Sequence, residues 1–125
     1  MSKSDTTGAW SVERGRAVSE VVVRFTGLVD EEAGRASARA VIELLGEEAS
    51  DLIFDVVDVG AYRAGARKAW QSALWPRRAQ IRSLTVISGS SLTRMGAKLF
   101  ASFLRIPCEV LPASARRAFR DAGDG

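Results

Sequence analysis

The chain has 125 residues, of which 46% are hydrophobic and 26% are charged, a composition that predicts one globular domain with a full core. It contains no histidine and one cysteine, Cys108, which excludes Ser-His-Asp and Cys-His nucleophile systems, histidine metal sites, zinc clusters and an internal disulfide. The net charge of +3 permits anionic partners but does not by itself imply nucleic acid.

The ends of the chain carry no targeting signal. No apolar run approaches the roughly 20 residues of a membrane helix. The opening "MSKSDTTGAW" lacks the apolar core of a signal peptide, so we expect a cytoplasmic protein without membrane insertion. Residues 1–8 are small and polar and are expected to be disordered, residues 9–121 to form the domain, and residues 122–125 to fray.

The first predicted elements form a hairpin and a helix. "AWSVERG" alternates apolar and polar residues, Gly15 and Arg16 give a tight turn, and "AVSEVVVRF" follows as a second strand. "DEEAGRASARAVIELLG" is a helix that Asp30 caps and Gly46 closes. Its core face is predicted to contain Ala33, Ala36, Ala40, Val41, Leu44 and Leu45.

Strands and helices then alternate. "DLIFDVV" and "IRSLTVIS" read as buried strands, and between them "AGARKAWQSALW" reads as a helix that Pro76 stops. "SLTRMGAKLFASFLR" is a third helix, "IPCEVL" a last strand and "SARRAFRDAG" a last helix. The second helix is predicted to turn inward Ala66, Ala69, Trp70, Ala73 and Leu74, and the third Leu92, Met95, Gly96, Leu99, Phe100 and Phe103.

The element order β-β-α-β-α-β-α-β-α predicts an α/β fold. We expect a mostly parallel five-stranded sheet with an antiparallel N-terminal edge hairpin, packed by four helices. The order of the strands within the sheet stays open.

This element order resembles that of the STAS domains, and most closely their SpoIIAA-like branch, whose architecture is shared with lipid-carrying CRAL-TRIO domains. Asp55 at a strand end, then Tyr62, Arg67 and Trp70 in "YRAGARKAW", and the turn "SGSS" carry the resemblance over residues 9–120. It implies a single-domain STAS-like fold and a protein-interaction or regulatory role in bacterial signalling or scaffolding.

The sequence departs from that family at one point. Phosphorylatable STAS antagonists carry a serine or threonine at the start of the helix after the third strand, which falls near Arg63 and Ala64 here. Neither residue is a serine or threonine, so a serine switch is not expected. Tyr62 is the only hydroxyl in this loop, and we interpret it as a packed aromatic residue.

Two loops, residues 58–63 and 88–91, are predicted to leave the carboxyl edge of the sheet, where open α/β folds bind ligands. Each leads into a helix N-terminus, which offers free N–H groups, and arginine side chains nearby can hold a carboxylate or phosphate. Helix-capping serines and ordinary surface arginines are the alternative explanation. The candidate residues for an anionic ligand are Tyr62, Arg63, Arg67, Ser90, Ser91 and Arg94.

A second candidate is a protein interface on the second and third helices. Trp75 lies beside Arg77 and Arg78, a composition typical of binding hot spots. The alternative is a solvated face with Trp75 tucked under the loop. The outward face of the third helix is predicted to add Arg94, Lys98, Ala101 and Arg105.

The chain is not expected to be an enzyme. Asp55 and Asp58 would not face each other across a strand end, and no base, metal ligand or nucleophile completes them. Cys108 reads as a buried, inert thiol, and no catalytic residue, metal or cofactor is predicted. The first hypothesis is a non-catalytic STAS-like module that binds a protein partner or a second copy as a homodimer. The alternative is a binder of a small anionic molecule or lipid at the carboxyl edge.

Overall fold

The computed structural model describes residues 9–15, 19–45, 49–89, 98 and 100–115, with the backbone alone at 60–62. We name the helix that contains residues 98 and 100–104 α3. The other elements, in chain order, are β1 (Trp10–Arg14), β2 (Glu20–Val29), α1 (Glu31–Leu44), β3 (Ser50–Tyr62), α2 (Ala64–Leu74), a 3-10 helix (Trp75–Gln80), β4 (Ile81–Ile87), β5 (Cys108–Leu111) and a 3-10 turn (Ala113–Ala115).

The five strands form one sheet in the order β1-β2-β3-β4-β5. β1 is antiparallel to β2, and every later neighbour is parallel. This confirms the predicted fold class. Each crossover moves to the next strand in the same direction, and right-handed crossovers of this kind place their helices on one face of the sheet.

The main core lies between that face and the helices, and aromatic rings occupy its centre. The indole of Trp70 meets the ring of Phe54 edge to face at a centroid distance of 4.8 Å and that of Phe25 at 6.3 Å. Its buried Nε1 donates a hydrogen bond of 3.1 Å to Oγ of Ser37 on α1. The predicted inward position of Trp70 is therefore confirmed, and it has a polar partner on the neighbouring helix.

Helix α1 begins as predicted and presents a face to the core that only partly matches the predicted one. Oδ1 of Asp30 accepts the backbone N–H of Ala33 at 2.9 Å, as expected of an N-cap. Ala36, Ala40 and Leu44 are only partly buried, and the predicted closing residue Gly46 lies outside the described residues. The predictions for Ala33, Val41 and Leu45 are confirmed, and the other buried residues of α1 are Gly34, Ser37 and Ala38.

The shift has a physical cause, because α1 packs against α2 as well as against the sheet. A Cβ atom added to Gly34 would lie 2.8 Å from Cα of Ala66 on α2. The two helices therefore touch at Gly34, which has no side chain. As a result, the buried face of α1 is rotated from the face that its apolar residues alone predict.

Strand β3 is longer than predicted. Residues 58–63 were expected to form a loop, yet β3 continues to Tyr62 and stays paired with β2, with Val29 opposite Tyr62. The pairing persists because β2 itself continues past Gly27, whose φ of 73° accompanies shifts of register. The strand-to-helix corner is reduced to Arg63, whose N–H donates to the carbonyl of Val29 at 2.9 Å.

Helix α3 is turned relative to the prediction. Phe100 is buried, but Phe103, predicted to face inward, is 49% exposed, and Ala101, predicted to face outward, is 2% exposed. Phe100, Ala101 and Leu104 together contact the core cluster. The inward predictions for Leu92, Met95, Gly96 and Leu99 fall outside the described residues.

The helix count also differs from the predicted four. The described residues contain three α-helices, and Pro76 opens a 3-10 helix after α2 instead of a loop. The predicted last helix begins in a 3-10 turn at Ala113–Ala115, and its remainder lies outside the described residues, as do the two expected tails.

Candidate functional site

The predicted anion site lies at the carboxyl edge of the sheet, and the structure describes only part of it. Arg63 is the N-cap residue of α2 and is exposed, and its side chain makes no capping hydrogen bond. Arg67 follows one turn later and is half-buried. Ser90, Ser91 and Arg94 lie outside the described residues, as does the side chain of Tyr62. The geometry therefore places two arginines on one helix and leaves their combination with the serines a prediction.

A groove of about 600 Å³ runs between α1 and α2. It does not include Arg63 or Arg67. Glu31 and Arg35, which pair across one turn of α1, line one wall. The other wall is formed by the α2 residues Gly65, Lys68, Ala69, Ser72 and Ala73. The groove is thus a shallow channel with mixed charge and small side chains.

The clearest surface feature lies at the opposite edge of the sheet, where α2 and α3 end and the next strands begin. Trp75 is 41% exposed, and its ring lies 5.3 Å from that of Phe103, centroid to centroid. The guanidinium carbon of Arg78 sits 3.8 Å from the centroid of the Trp75 ring. We call Trp75, Arg78 and Phe103 the aromatic cluster.

The local sequence "WPRRAQ" explains half of this arrangement. Pro76 suits the first turn of a helix, where its missing N–H is not needed. A 3-10 helix has three residues per turn, so residues three apart are eclipsed, which stacks Arg78 over Trp75. The Arg78 guanidinium also donates a hydrogen bond to the carbonyl oxygen of Trp75. The arginine is therefore held over the indole by both a cation–π contact and a hydrogen bond.

The end of α3 supplies the other half. The N–H of Ile106 donates to the carbonyl of Ala101 and that of Arg105 to Ser102, each at 3.1 Å, which is the Schellman pattern. This pattern needs a left-handed residue after the helix. Arg105 takes that place with φ of 60°, where glycine is the usual residue.

The surface around the aromatic cluster is basic. Arg77, Arg78, Lys98 and Arg105 are all exposed. The described part of the chain contains ion pairs between Arg24 and both Glu13 and Asp55, and also Glu31–Arg35 and Asp51–Arg82. None of these ion pairs involves the four cations, although Arg77 does hydrogen-bond to Gln80. We call the aromatic cluster with Arg77 and Arg105 the Trp75 surface; Lys98 lies six residues before the end of α3, near Cys108, and is not part of it.

The structure therefore places Trp75 as an exposed residue beside arginines and not under a loop. Phe103 was missed as a member of this surface, because its spacing from Phe100 fits an inward helix face equally well. Ala101 does not belong to it. Arg94, the remaining interface candidate, lies outside the described residues.

A polar clamp at the amino edge of the sheet was not predicted. Arg82 donates from Nε and Nη2 to the two oxygens of Asp51, at 3.0 and 2.9 Å, and from Nη2 to Oγ of Ser19 at 3.1 Å. Ser83 donates to the same carboxylate at 2.7 Å. The hydrogen bond from Arg82 lowers the pKa of Asp51 below its ordinary 3.8, against a smaller opposing effect of burial. The clamp ties β3 to β4 and to the residue preceding β2.

The remaining titratable candidates from the sequence are Asp55, Asp58 and Cys108. Asp55 is 2% exposed, its Oδ2 lies 3.7 Å from Nε of Arg24, and Asp58 is exposed. Cys108 is only partly buried, not fully as predicted, and burial raises the pKa of its thiol despite the nearby charge of Lys98. That direction disfavours the reactive thiolate.

Two further features of the described residues concern metal binding and membrane crossing. They contain no group of three or more His, Cys, Asp or Glu side chains arranged to hold a metal ion. Within the same residues, no helix is both long enough and apolar enough to cross a membrane.

Comparison with known proteins defines the fold. No family model matches the sequence, and no curated protein matches it significantly. A DUF3478-family protein with a SpoIIAA-like fold from Shewanella loihica PV-4 superposes with a TM-score of 0.67 at 14% identity, over 97% of both chains. An anti-sigma factor antagonist from Mycobacterium paratuberculosis superposes with a TM-score of 0.60 at 17% identity, over 94% of this chain and 98% of that one.

Proposed function

We propose that this chain, which has a SpoIIAA-like fold, is a non-catalytic regulatory module of bacterial signalling or scaffolding. It would act by protein–protein contact through α2 and α3. The observation that carries the proposal is the aromatic cluster, which joins the ends of these two helices on the surface. The similarity to an anti-sigma factor antagonist supports a regulatory role for the fold.

The energetics of the aromatic cluster favour binding. Large exposed aromatic groups gain stability when a partner removes them from water, at about 25 cal/mol per Å² of apolar surface. Tryptophan and arginine are the residues most often found as hot spots of protein interfaces. Arg78 is already held over the Trp75 ring, so little side-chain entropy remains to be lost when a partner docks.

The lack of suitable catalytic side chains in the sequence supports the proposal that the module is non-catalytic. The chain has no histidine, and Asp55 is engaged with Arg24. Arg63 and Ala64 stand where a phosphorylatable residue would be needed, so regulation by a serine switch is not part of the proposal. The module would respond to the presence of its partner and not to phosphorylation at that corner.

Affinity capture with matched variants tests the proposal. Trp75→Ala and Phe103→Ala remove the two rings, and Arg39→Ala removes an exposed side chain of α1 as the control. A protein retained by the parent chain and the control but lost with both ring variants is then purified and titrated calorimetrically. We expect the ring variants to weaken binding about 30-fold each. Equal affinity of all four proteins for that partner would refute the proposed surface.

The groove between α1 and α2 is the basis for a second candidate function, the binding of an anionic small molecule or lipid. This shallow, open groove has a volume of about 600 Å³, and the cationic side chains Arg35 and Lys68 line it. Native mass spectrometry of freshly purified chain is the test. Additional mass that disappears on denaturation supports a ligand, whereas a bare chain mass supports the interaction module. The same spectrum reports whether the chain is the predicted homodimer.

A further inference from the structure

We propose that the Trp75 surface binds an acidic segment of a different protein, one in which carboxylates flank a large apolar side chain. This inference rests on the proposed function and specifies the chemistry of the partner. It is drawn from the juxtaposition of two exposed rings with three exposed cations, Arg77, Arg78 and Arg105, where α2 and α3 end.

The two rings define the apolar part of the partner. Trp75 and Phe103 are tilted by 50° and stand 5.3 Å apart, so together they present a bent, two-walled face rather than a flat one. One face of the Trp75 indole is already covered by Arg78. An aliphatic or aromatic side chain of the partner fits against the remaining ring surfaces, where it would be shielded from water.

The cations define the polar part. Arg77, Arg78 and Arg105 form no ion pair with any carboxylate among the residues that the structure describes. Charges of one sign on a binding surface favour a partner of the opposite sign and raise the rate at which the two proteins associate. A segment with acidic residues on both sides of its apolar anchor would complement these positions.

The backbone at Arg105 is independent support. A side chain at φ of 60° brings Cβ close to the following carbonyl, a steric cost that glycine avoids. Such strain is typical of positions where the side chain has a function beyond folding. Here the strained residue is a cation that follows Phe103 by two positions, at the edge of the aromatic cluster. The position therefore provides a charge at the expense of local stability.

A second copy of this chain fits the surface poorly. A two-fold contact places each surface against itself, and the arginines of the two copies would then face one another. The exposed acidic residues Glu31 and Glu32 begin α1 at the carboxyl edge, whereas the Trp75 surface lies at the amino edge. Docking the acidic start of α1 of one copy on the Trp75 surface of another gives a head-to-tail contact, which leads to a ring or a filament and not to a two-fold dimer. A separate acidic protein satisfies the charges without either difficulty.

The test follows the indole N–H of Trp75 by NMR in the full chain, assigned with Trp75→Phe. The probes are the peptide acetyl-EEDLFEDEE-amide and its uncharged counterpart acetyl-QQNLFQNQQ-amide. We expect the acidic peptide to shift the Trp75 indole and the Phe103 amide, and the uncharged one to bind at least about tenfold more weakly. Raising NaCl from about 50 to about 500 mM should weaken the acidic peptide strongly, because exposed charges are screened.

Variants locate the contacts. We expect Arg105→Gly and Arg77→Glu to weaken the acidic peptide about three- to tenfold and Arg39→Glu, the control on α1, to leave it within twofold. Arg105→Gly is the sharpest of these, because it removes a cation while relieving backbone strain, so lost binding cannot be attributed to unfolding.

Each alternative result overturns the inference in a recognisable way. Equal binding of both peptides would remove the acidic requirement while leaving the aromatic cluster as the proposed interface. A Trp75 shift with phosphatidylserine vesicles but not with the peptide would assign the surface to membranes. Concentration-dependent dimers that Trp75→Ala dissolves would assign it to self-association. No shift with any probe would refute the acidic segment, and the capture experiment would then judge the proposed function separately.

Discussion

Replacing Arg105 with glycine should make the protein more stable. The left-handed conformation costs a residue with a side chain about 1–2 kcal/mol. Glycine avoids this cost but gives back about 0.5–1 kcal/mol, because its unfolded chain is more flexible. The net expectation for Arg105→Gly is a gain of about 0.5–1 kcal/mol in the free energy of unfolding.

The same substitution in the middle of a helix should have the opposite sign. Arg39 is exposed and lies within α1, where its backbone is helical. Arg39→Gly should therefore lose about 1 kcal/mol, the ordinary cost of glycine in a helix interior. The pair compares identical changes of side chain, charge and mass, so the backbone conformation is the variable that differs most between them.

Urea unfolding monitored by far-UV circular dichroism measures both effects. In thermal unfolding of a chain of this length, a gain of 1 kcal/mol corresponds to a rise of about 3–5 °C in Tm. The midpoint for Arg105→Gly should lie above that of the parent, and the midpoint for Arg39→Gly below it. If both variants lowered the midpoint with an unchanged urea slope, the assignment of strain to Arg105 would be refuted.

Three other predictions concern the interior and the amino edge. Ser37→Ala should cost about 1–3 kcal/mol in thermal or urea unfolding, since it leaves the buried indole N–H of Trp70 without an acceptor; Ser37→Thr, which keeps the hydroxyl, is the comparison. Gly34→Ala should cost about 1–3 kcal/mol despite better helix propensity, because its Cβ meets the Ala66 backbone at 2.8 Å; a stabilised variant would contradict this packing. Since the fold holds the pKa of Asp51 below 3.8, its ion pair contributes stability above about pH 4 that is lost as pH falls through the folded-state pKa. Asp51→Asn should therefore have a flatter acid limb in a pH series of unfolding midpoints, and an unchanged limb would contradict the assignment.

Much of the fold followed from local signals in the sequence. The strand β1, the parallel strands with their apolar runs and the cap at Asp30 each depend on nearby residues, and each was confirmed, although the burial along β1 does not alternate as its sequence does. The length of β3 could not be predicted in this way. Residues 58–62 have little strand character of their own, and they are extended because β2 provides a neighbour for pairing.

The faces of the helices show a similar limit. Gly34 and Ser37 are buried for reasons that lie on α2, in the close approach of Ala66 and the indole of Trp70. The exposure of Phe103 likewise depends on how α3 meets the core. Apolar periodicity predicts that a helix has an inner face, but the partner element decides which residues occupy it. The sequence therefore predicted only the part of the aromatic cluster that lies in "WPRR", which is Trp75 and Arg78, and not Phe103.

The strictly sequential strand order has a consequence for how the chain is made. Among the described residues, every strand pairs only with the strands that precede and follow it along the polypeptide, so none of them requires a later strand to be inserted between its neighbours. During synthesis, each completed helix and strand can dock on the sheet already present, in the direction in which the ribosome releases it. Loop closures stay short at each step, which favours rapid folding. The aromatic cluster, built from the ends of α2 and α3, would be among the last features of this growing sheet to assemble.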